Sequence, residues 1–443
     1  MKLKFSNSHI PNNYLMNPTP NLKTNWDIFC NVVDNFGDIG VCWRLACNLA
    51  ARGKRVRLWV DDVSPLAWMA PSGCADVEVI DCKNGLPKDQ NYALGDVLVD
   101  TFDCEFAINL IATQAINTPA RGQFEHKKTT IQPVWLNLEY LTAESFAERA
   151  HTLPYVHHSG AAQGWTQRYF YPGFNAKTGG LLRETDLFER QKAFDRGAWL
   201  NRLLEQNNAA EPSFPRRRES TAAVMDSRLR GNDETWGNDG NMEIDNTRFI
   251  SLFCYEPAAL EALIDQLSTR ETPTCLLVTA GRASAAVKAL LEHKKRLQPA
   301  YLLPEQLSIL YLPQLTQTDF DHLLWSCDLN FVRGEDSLVR AIWAAKPFVW
   351  QIYPQHDGAH HAKLNAFLQM MEAPASLKTA HIAWNASALE RENNPNLPGF
   401  PQLDLLNWKQ SAEKLSNKLR LQADLASNLI AFTELGREKR LKS

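Results

Sequence analysis

The stretch WDIFCNVVDNFGDIGVCWRLACNLAARGKRVRLWV, Trp26 to Val60, decides the fold. Its opening, Trp26 to Val33, is dense in aromatic and branched apolar side chains, the pattern of a strand buried on both faces. Val41, Leu45 and Leu49, and likewise Trp43 and Ala50, then recur at helical spacing until Gly53 stops them. A second apolar run, Val56 to Val60, completes strand, helix and strand. A crossover of that length joins parallel strands, and its repetition builds a parallel sheet with helices on both faces.

Moving outward, Val77 to Ile80, Val97 to Phe102 and Pro133 to Leu138 extend the first series of strands. A second series starts at Phe249 to Phe253 and continues through Cys275 to Val278, Leu307 to Leu310, Leu329 to Val332 and Phe348 to Ile352. Helical patterns fill its gaps at Ala258 to Leu267, Ala283 to His293 and Ser337 to Ala345, and Trp408 to Leu441 forms one or two amphipathic helices. The chain is thus expected to be α/β, with two Rossmann-like domains facing a central cleft. The first covers 25–205 and the second 247–405; the helices of 406–443 are expected near the domain junction. Residues 1–24 are polar, carry prolines and lack the apolar block of a secretory signal, so they predict a disordered leader. Residues 206–246 shift abruptly to Pro, Gly, Asn, Ser and charge, which predicts a disordered insertion.

With 443 residues and 44% hydrophobic content, the chain can supply a core to each of two domains. A formal charge of −3 gives no global attraction to nucleic acid or to an anionic membrane. Arg216, Arg217 and Arg218 form a short basic run, but no aromatic residue interrupts it and Asp226, Asp233, Glu234 and Asp239 follow, so no nucleic-acid partner is expected. No apolar run reaches the ~18 residues of a spanning helix, so no membrane partner is expected either. The nine cysteines contain no C-x-x-C pair and sit in apolar segments, the usage of reduced thiols in a cytoplasmic protein.

Ligands of open parallel sheets bind beyond the carboxyl ends of the strands, so the chemistry is sought in the turns that follow them. The first such turn holds Asp34, Phe36, Gly37, Asp38 and Gly40. Asp38 can cap the following helix and Asp34 can stabilise the turn, but Asp34 also stands where it would point into the cleft. The turn is neither a G-x-G-x-x-G fingerprint nor a P-loop. The second turn, Arg333 to Ser337, sets one cation and two carboxylates between a strand and a helix. The Arg333 fork and the free N–H groups of the helix start can bind a diphosphate, Ser337 can cap or donate, and Glu335 and Asp336 can meet sugar hydroxyls. A plain surface ion pair of Arg333 with Glu335 or Asp336 would explain the same charges.

The segments DIFCNVVDNFGDIGVCWRLA, PVWLNLEYL, YFYPGFNAKTGGLLRE, FCYE and LLWSCDLNFVRGEDSLVRAIWAAKPFVWQIYPQ together resemble the elongation factor P arginine rhamnosyltransferase family over about residues 25–205 and 247–440. That resemblance implies a GT-B fold and an inverting, metal-independent transfer of L-rhamnose from dTDP-β-L-rhamnose to an arginine of elongation factor P, in support of polyproline translation. It implies no cofactor beyond that co-substrate, protein contact mainly in the first domain and donor contact mainly in the second. The family pattern falls on Asp34 and Asp38, on Arg333, Glu335, Asp336 and Ser337, and on Phe253, Tyr255, Gln317 and Phe320 as donor-binding positions; Phe36 and Gly37 join the donor set. An aromatic face with amide partners suits thymine, although Phe253 and Phe320 taken alone read as core.

An arginine acceptor gives Asp34 a task. A guanidinium is protonated and delocalised, hence a poor nucleophile; a carboxylate beside it can orient one nitrogen and accept its proton. Asp34 is therefore expected to be the base, with Asp38 sharing the guanidinium or fixing Asp34. Glu335 is expected to hold the sugar or the turn, and Arg333 to stabilise the leaving diphosphate. The competing enzyme is a GT-B glycosyltransferase with a small-molecule or lipid-linked acceptor. His356, His360 and His361 have partial metal-ligand spacing without an acidic helix motif, and no metal site is expected there.

Overall fold

The computed structural model describes residues 24–32, 36–85, 93–102, 104, 106–117, 132–208, 244–355 and 358–441. The proposed leader up to residue 23, most of the insertion, Val33, Asp34 and His356 lie outside the described residues. Two sheets organise the chain. The first contains β1 (Asn25–Cys30), β2 (Arg55–Val60), β3 (Val77–Asp81), β4 (Val97–Thr101), β5 (Val134–Leu138), β6 (Pro154–Val156) and β7 (Thr166–Phe170), in the order β3-β2-β1-β4-β5-β7-β6. The second contains β8 (Arg248–Leu252), β9 (Thr274–Val278), β10 (Leu307–Tyr311), β11 (Leu329–Arg333) and β12 (Phe348–Gln351), in the order β10-β9-β8-β11-β12.

The two orders share one plan. In each sheet the series leaves its first strand in one direction, then returns to add strands on that strand's other side, and all of these pairs are parallel. The reversal lies between β1 and β4 in one sheet and between β8 and β11 in the other. Adjacent connections there leave in opposite directions and open a crevice at the carboxyl ends. This doubled arrangement is the GT-B architecture.

The strand cores are the apolar runs seen in the sequence: Ile28, Leu58, Val99 and Leu136 in one sheet, and Ile250, Leu276 and Phe331 in the other, are fully buried. Boundaries shift for local reasons. The chain leaves β1 after Cys30, and β4 ends at Thr101 because Phe102 adopts φ 57°, a left-handed conformation that cannot continue a strand. Ala345, with φ 54°, ends the helix Gly334–Ala344 in the same way. The strands β6 and β7, which pair antiparallel, were not expected; TQRYF in β7 is polar and half-buried, so it lacks the apolar run that marked the others.

Packing crosses the sequence-based boundaries. The helix Arg196–Asn208 places Trp199, Leu200 and Leu203 in a core with Phe249, Cys275 and Leu277, so it covers the second sheet although residue 205 was taken as the end of the first domain. The terminal segment forms two helices that separate: Leu405–Arg420 packs Trp408, Ala412 and Leu415 into the second domain, while Leu425–Leu441 returns Leu425, Ala426 and Leu429 to the first. All nine cysteines are free thiols. Among the described residues no helix is long and apolar enough to cross a membrane.

Candidate active site

The second-domain wall is built where β8 and β11 lie side by side. Beyond β11 the chain turns at once into the helix Gly334–Ala344, a turn that Gly334 makes possible with φ 66°. Ser337 closes it: its hydroxyl receives the Arg333 N–H at 3.0 Å and donates to the Arg333 carbonyl. The Trp350 indole N–H donates to the Gly334 carbonyl at 2.7 Å. Arg333 is only 8% exposed, so it is not a surface ion pair. Its guanidinium sits 4.5 Å from the ring centre of Phe253 and 4.6 Å from that of Tyr255, and donates to the Cys254 carbonyl at 3.3 Å. Phe320 meets Phe253 edge to face at 5.3 Å.

The two carboxylates reach across to the first domain. Glu335 accepts the Leu141 N–H at 2.7 Å and pairs with Lys363 at 2.5 Å. Asp336 pairs at 3.3 Å with Arg44, on the helix Gly37–Ala51. Arg44 also grips Asp321 at 3.1 and 3.3 Å, and Asp321 is shared with Arg340 at 2.8 and 2.6 Å. Glu184 joins both arginines, at 3.5 Å to Arg44 and 2.7 Å to Arg340. Burial pushes the Asp336 carboxyl up, and the neighbouring Arg44 and Arg340 offset this only in part. Burial would also raise Glu184, yet Arg340 and Arg44 hold it down at about 2.

The first-domain wall is more apolar. Phe36, 36% exposed, meets Trp68 edge to face at 5.0 Å, with Met69 beside them. Gln317 donates from its side-chain amide to the Gly40 carbonyl at 3.0 Å, which ties the walls together. A Cβ on Gly40 would stand 3.5 Å from the Gln317 amide nitrogen and 3.6 Å from an Asp336 oxygen, so the walls are already in contact range. The helix Gly37–Ala51 starts without a side-chain cap; Asp38 lies in its first turn, 4% exposed.

Together the walls enclose a cleft of about 330 Å³. Of the residues singled out in the sequence, Phe36, Gly37, Phe253, Gln317, Phe320, Arg333, Glu335, Asp336 and Ser337 all line it. Tyr255 does not: it is 2% exposed and stacks behind Arg333, with Arg282 on it at 4.7 Å. Asp38 is buried and not on the lining, and Asp34 lies outside the described residues. Sequence reasoning passed over Arg44, Trp68, Met69, the Thr279–Arg282 turn and Lys363. Arg44 had one visible signal, a cation within an apolar helix pattern. His360, His361 and Glu390 bring one ligand atom each within 4.8 Å of one another. His361 pairs with Glu390 at 2.6 Å, and a ring nitrogen of His360 accepts the Gln355 N–H at 3.1 Å, so each is already in hydrogen-bond use.

A largely buried cation framed by aromatic rings, apolar surface across from it, and carboxylates at the rim suit a nucleotide-sugar better than a simple phosphate. The family model for elongation factor P (EF-P) rhamnosyltransferase EarP matches residues 26–434. A protein-arginine rhamnosyltransferase of Pseudomonas aeruginosa is 36% identical over 429 residues, which cover 92% of this chain and 98% of that protein. One from Neisseria meningitidis serogroup B is 32% identical, covering 91% and 96%. A solved structure described as the structural basis for EarP-mediated arginine glycosylation of translation elongation factor EF-P matches with a TM-score of 0.52 at 26% identity, over 93% of this chain and 99% of that one. Match length, relatives and cleft agree: the chain belongs to the elongation factor P rhamnosyltransferase family, a family of protein-arginine glycosyltransferases.

Proposed function

We propose that the protein transfers L-rhamnose from dTDP-β-L-rhamnose to an arginine of elongation factor P, with inversion and without a metal, in the cytoplasm, and so supports translation of polyproline stretches. The observation that carries this is Arg333, held between Phe253 and Tyr255 at the β8/β11 reversal with Phe320 beside them. Thymine would pack on Phe253 and Phe320, with the Gln317 amide near. The diphosphate would lie on Arg333, Ser337 and the start of the Gly334 helix, whose N–H groups favour an anion. Tyr255 would act from behind, by holding Arg333. Phe36 and Gly37 would bound the sugar on the other wall, with Glu335 and Asp336 near its hydroxyls or fixing the turn.

In the reaction an acceptor guanidinium nitrogen attacks the anomeric carbon from the face opposite the diphosphate. The new C–N bond forms as the bond to the diphosphate oxygen breaks; dTDP leaves with that electron pair, and Asp34 takes the proton from nitrogen. Asp38, in the first turn of the Gly37–Ala51 helix, would fix Asp34. Arg333 receives the charge that develops on the leaving group.

Intact-mass analysis tests this. Elongation factor P incubated with the protein and dTDP-β-L-rhamnose should gain one deoxyhexose, and should gain none once its acceptor arginine is lysine. Hydrolysis of the donor with no mass gain would overturn the acceptor assignment in favour of another acceptor class.

A further inference from the structure

Arg44 has no assigned part in the transfer, yet it is among the most heavily engaged side chains of the cleft. It projects from the Gly37–Ala51 helix of the first domain and is 6% exposed. A guanidinium offers five N–H donors in one plane. Here Nε meets Asp336, Nη1 meets Asp321 and Glu184, and Nη2 meets Asp321 and the Gln317 carbonyl. Each donor thus has an acceptor, and four of the five acceptor atoms belong to the second domain. Three belong to the helix Gln317–Ser326 and one, from Asp336, to the Gly334 helix.

The position on the helix matters as much as the bonds. Gly37, Gly40 and Arg44 recur at helical spacing along one face, and Arg44 stands about 10 Å along the axis from the helix start. Fixing Arg44 therefore fixes how far the start of this helix, Phe36 and Gly37, stands from the Gly334 turn. Buried ionic groups add little net stability but strongly prefer one arrangement, because any displacement strands a desolvated charge.

We propose that Arg44 is a positioning residue for the transfer: by docking its fork on Asp321 and Asp336 it sets the spacing between the start of the Gly37–Ala51 helix and the Gly334 turn. This rests on the cleft being the transfer site. Two cations, Arg44 and Arg340, face Asp336 together with the carboxylates of Asp321 and Glu184, and Glu335 and Glu139 line a second, small cavity with it. Arg44 is therefore also one of the two cations that oppose the upward shift which burial gives the Asp336 carboxyl.

The test is steady-state transfer by Arg44→Met and Arg44→Lys, with dTDP affinity measured separately by calorimetry. A misplacement of about 1 Å lowers turnover by about 100-fold, so Arg44→Met should lose about 100-fold in kcat while dTDP affinity, set by second-domain residues, changes less than about threefold. Loss of the cation raises the Asp336 pKa further, so the acid limb of the kcat profile should move to higher pH in Arg44→Met. Arg44→Lys keeps the charge but not the fork; it should keep the acid limb in place and still lose about 10-fold in kcat. Lost stability alone would shift neither the limb nor the split between kcat and affinity. Turnover within threefold of wild type in a folded Arg44→Met, or donor affinity falling in step with kcat, would overturn the proposal. Should Arg44→Met not fold, a wild-type kcat in Arg44→Lys overturns it. Failure of the wild-type chain to modify elongation factor P would instead sink the functional reading, and hydrogen exchange then decides this one: Arg44→Met should speed amide exchange at the starts of the Gly37–Ala51 and Gly334–Ala344 helices, and an unchanged pattern refutes the spacing role.

Discussion

At the carboxyl end of β11, the Gly334 turn is held from several sides: Ser337 and Trp350 bind its backbone, and Glu335 and Asp336 each reach a cation. Across the cleft, the described start of the Gly37 helix has no side-chain cap; the rings of Phe36 and Trp68 meet beside it, and the Gly40 carbonyl takes the Gln317 amide. Charge stabilisation is most effective when the dipoles are fixed before charge develops. The held wall suits a donor whose charge grows on departure. The apolar wall suits an acceptor that brings its own cation, because apolar walls exclude water and strengthen a guanidinium–carboxylate contact.

The contrast breaks hardest at the acceptor side. Asp34→Asn keeps the shape of the proposed base and removes its proton affinity, so kcat should fall by about 1,000-fold while dTDP affinity stays within about threefold. Near-normal turnover in Asp34→Asn with bound donor would refute the base assignment.

The held wall has its own weak point in His381. This fully buried imidazole accepts the Trp350 N–H at 3.1 Å and bonds the Leu377 carbonyl at 2.9 Å, and Trp350 in turn holds Gly334. Burial lowers its pKa from 6.5 to about 4. A base depressed on folding gives stability that is present above its unfolded pKa and lost as pH falls from there toward the folded value. The protein should thus lose about 3 kcal/mol between pH 6.5 and pH 4, beyond what its carboxylates contribute. Denaturant titrations across that range check it, and an equal slope in His381→Gln would exclude His381 as the source.

What the sequence made legible follows from the range of each signal. Strand cores such as Val97 to Thr101 were visible because burial on both faces leaves a continuous apolar run. The second-domain wall was visible because Phe253, Arg333 and Ser337 lie at strand ends, where topology alone directs ligands. The assignment of the helix Arg196–Asn208 to the second sheet was not, because a polar linker marks where composition changes and not where packing does. Arg44 was missed for a related reason. Its partner Asp321 is 277 residues away, and a cation in an apolar helix pattern does not name its carboxylate. Tyr255 was expected as a donor contact, and its ring stack on Arg333 places it one layer behind the cleft lining.

The smallest effect separates the two phenylalanines of the donor wall. Phe253 carries Arg333 on its face as well as meeting Phe320, whereas Phe320 is half-buried on the helix Gln317–Ser326 and its ring contact in the cleft is with Phe253. Leucine retains most of the apolar volume but loses the π face, and stacking on an aromatic ring contributes about 1–3 kcal/mol per base. Phe320→Leu should therefore weaken dTDP by about 10-fold in calorimetry and leave kcat at saturating donor unchanged. Phe253→Leu should cost more and lower kcat too, since it also frees one side of the Arg333 guanidinium. Equal losses in the two variants would mean that Arg333 is held in place without Phe253, and that Phe253 serves only the base.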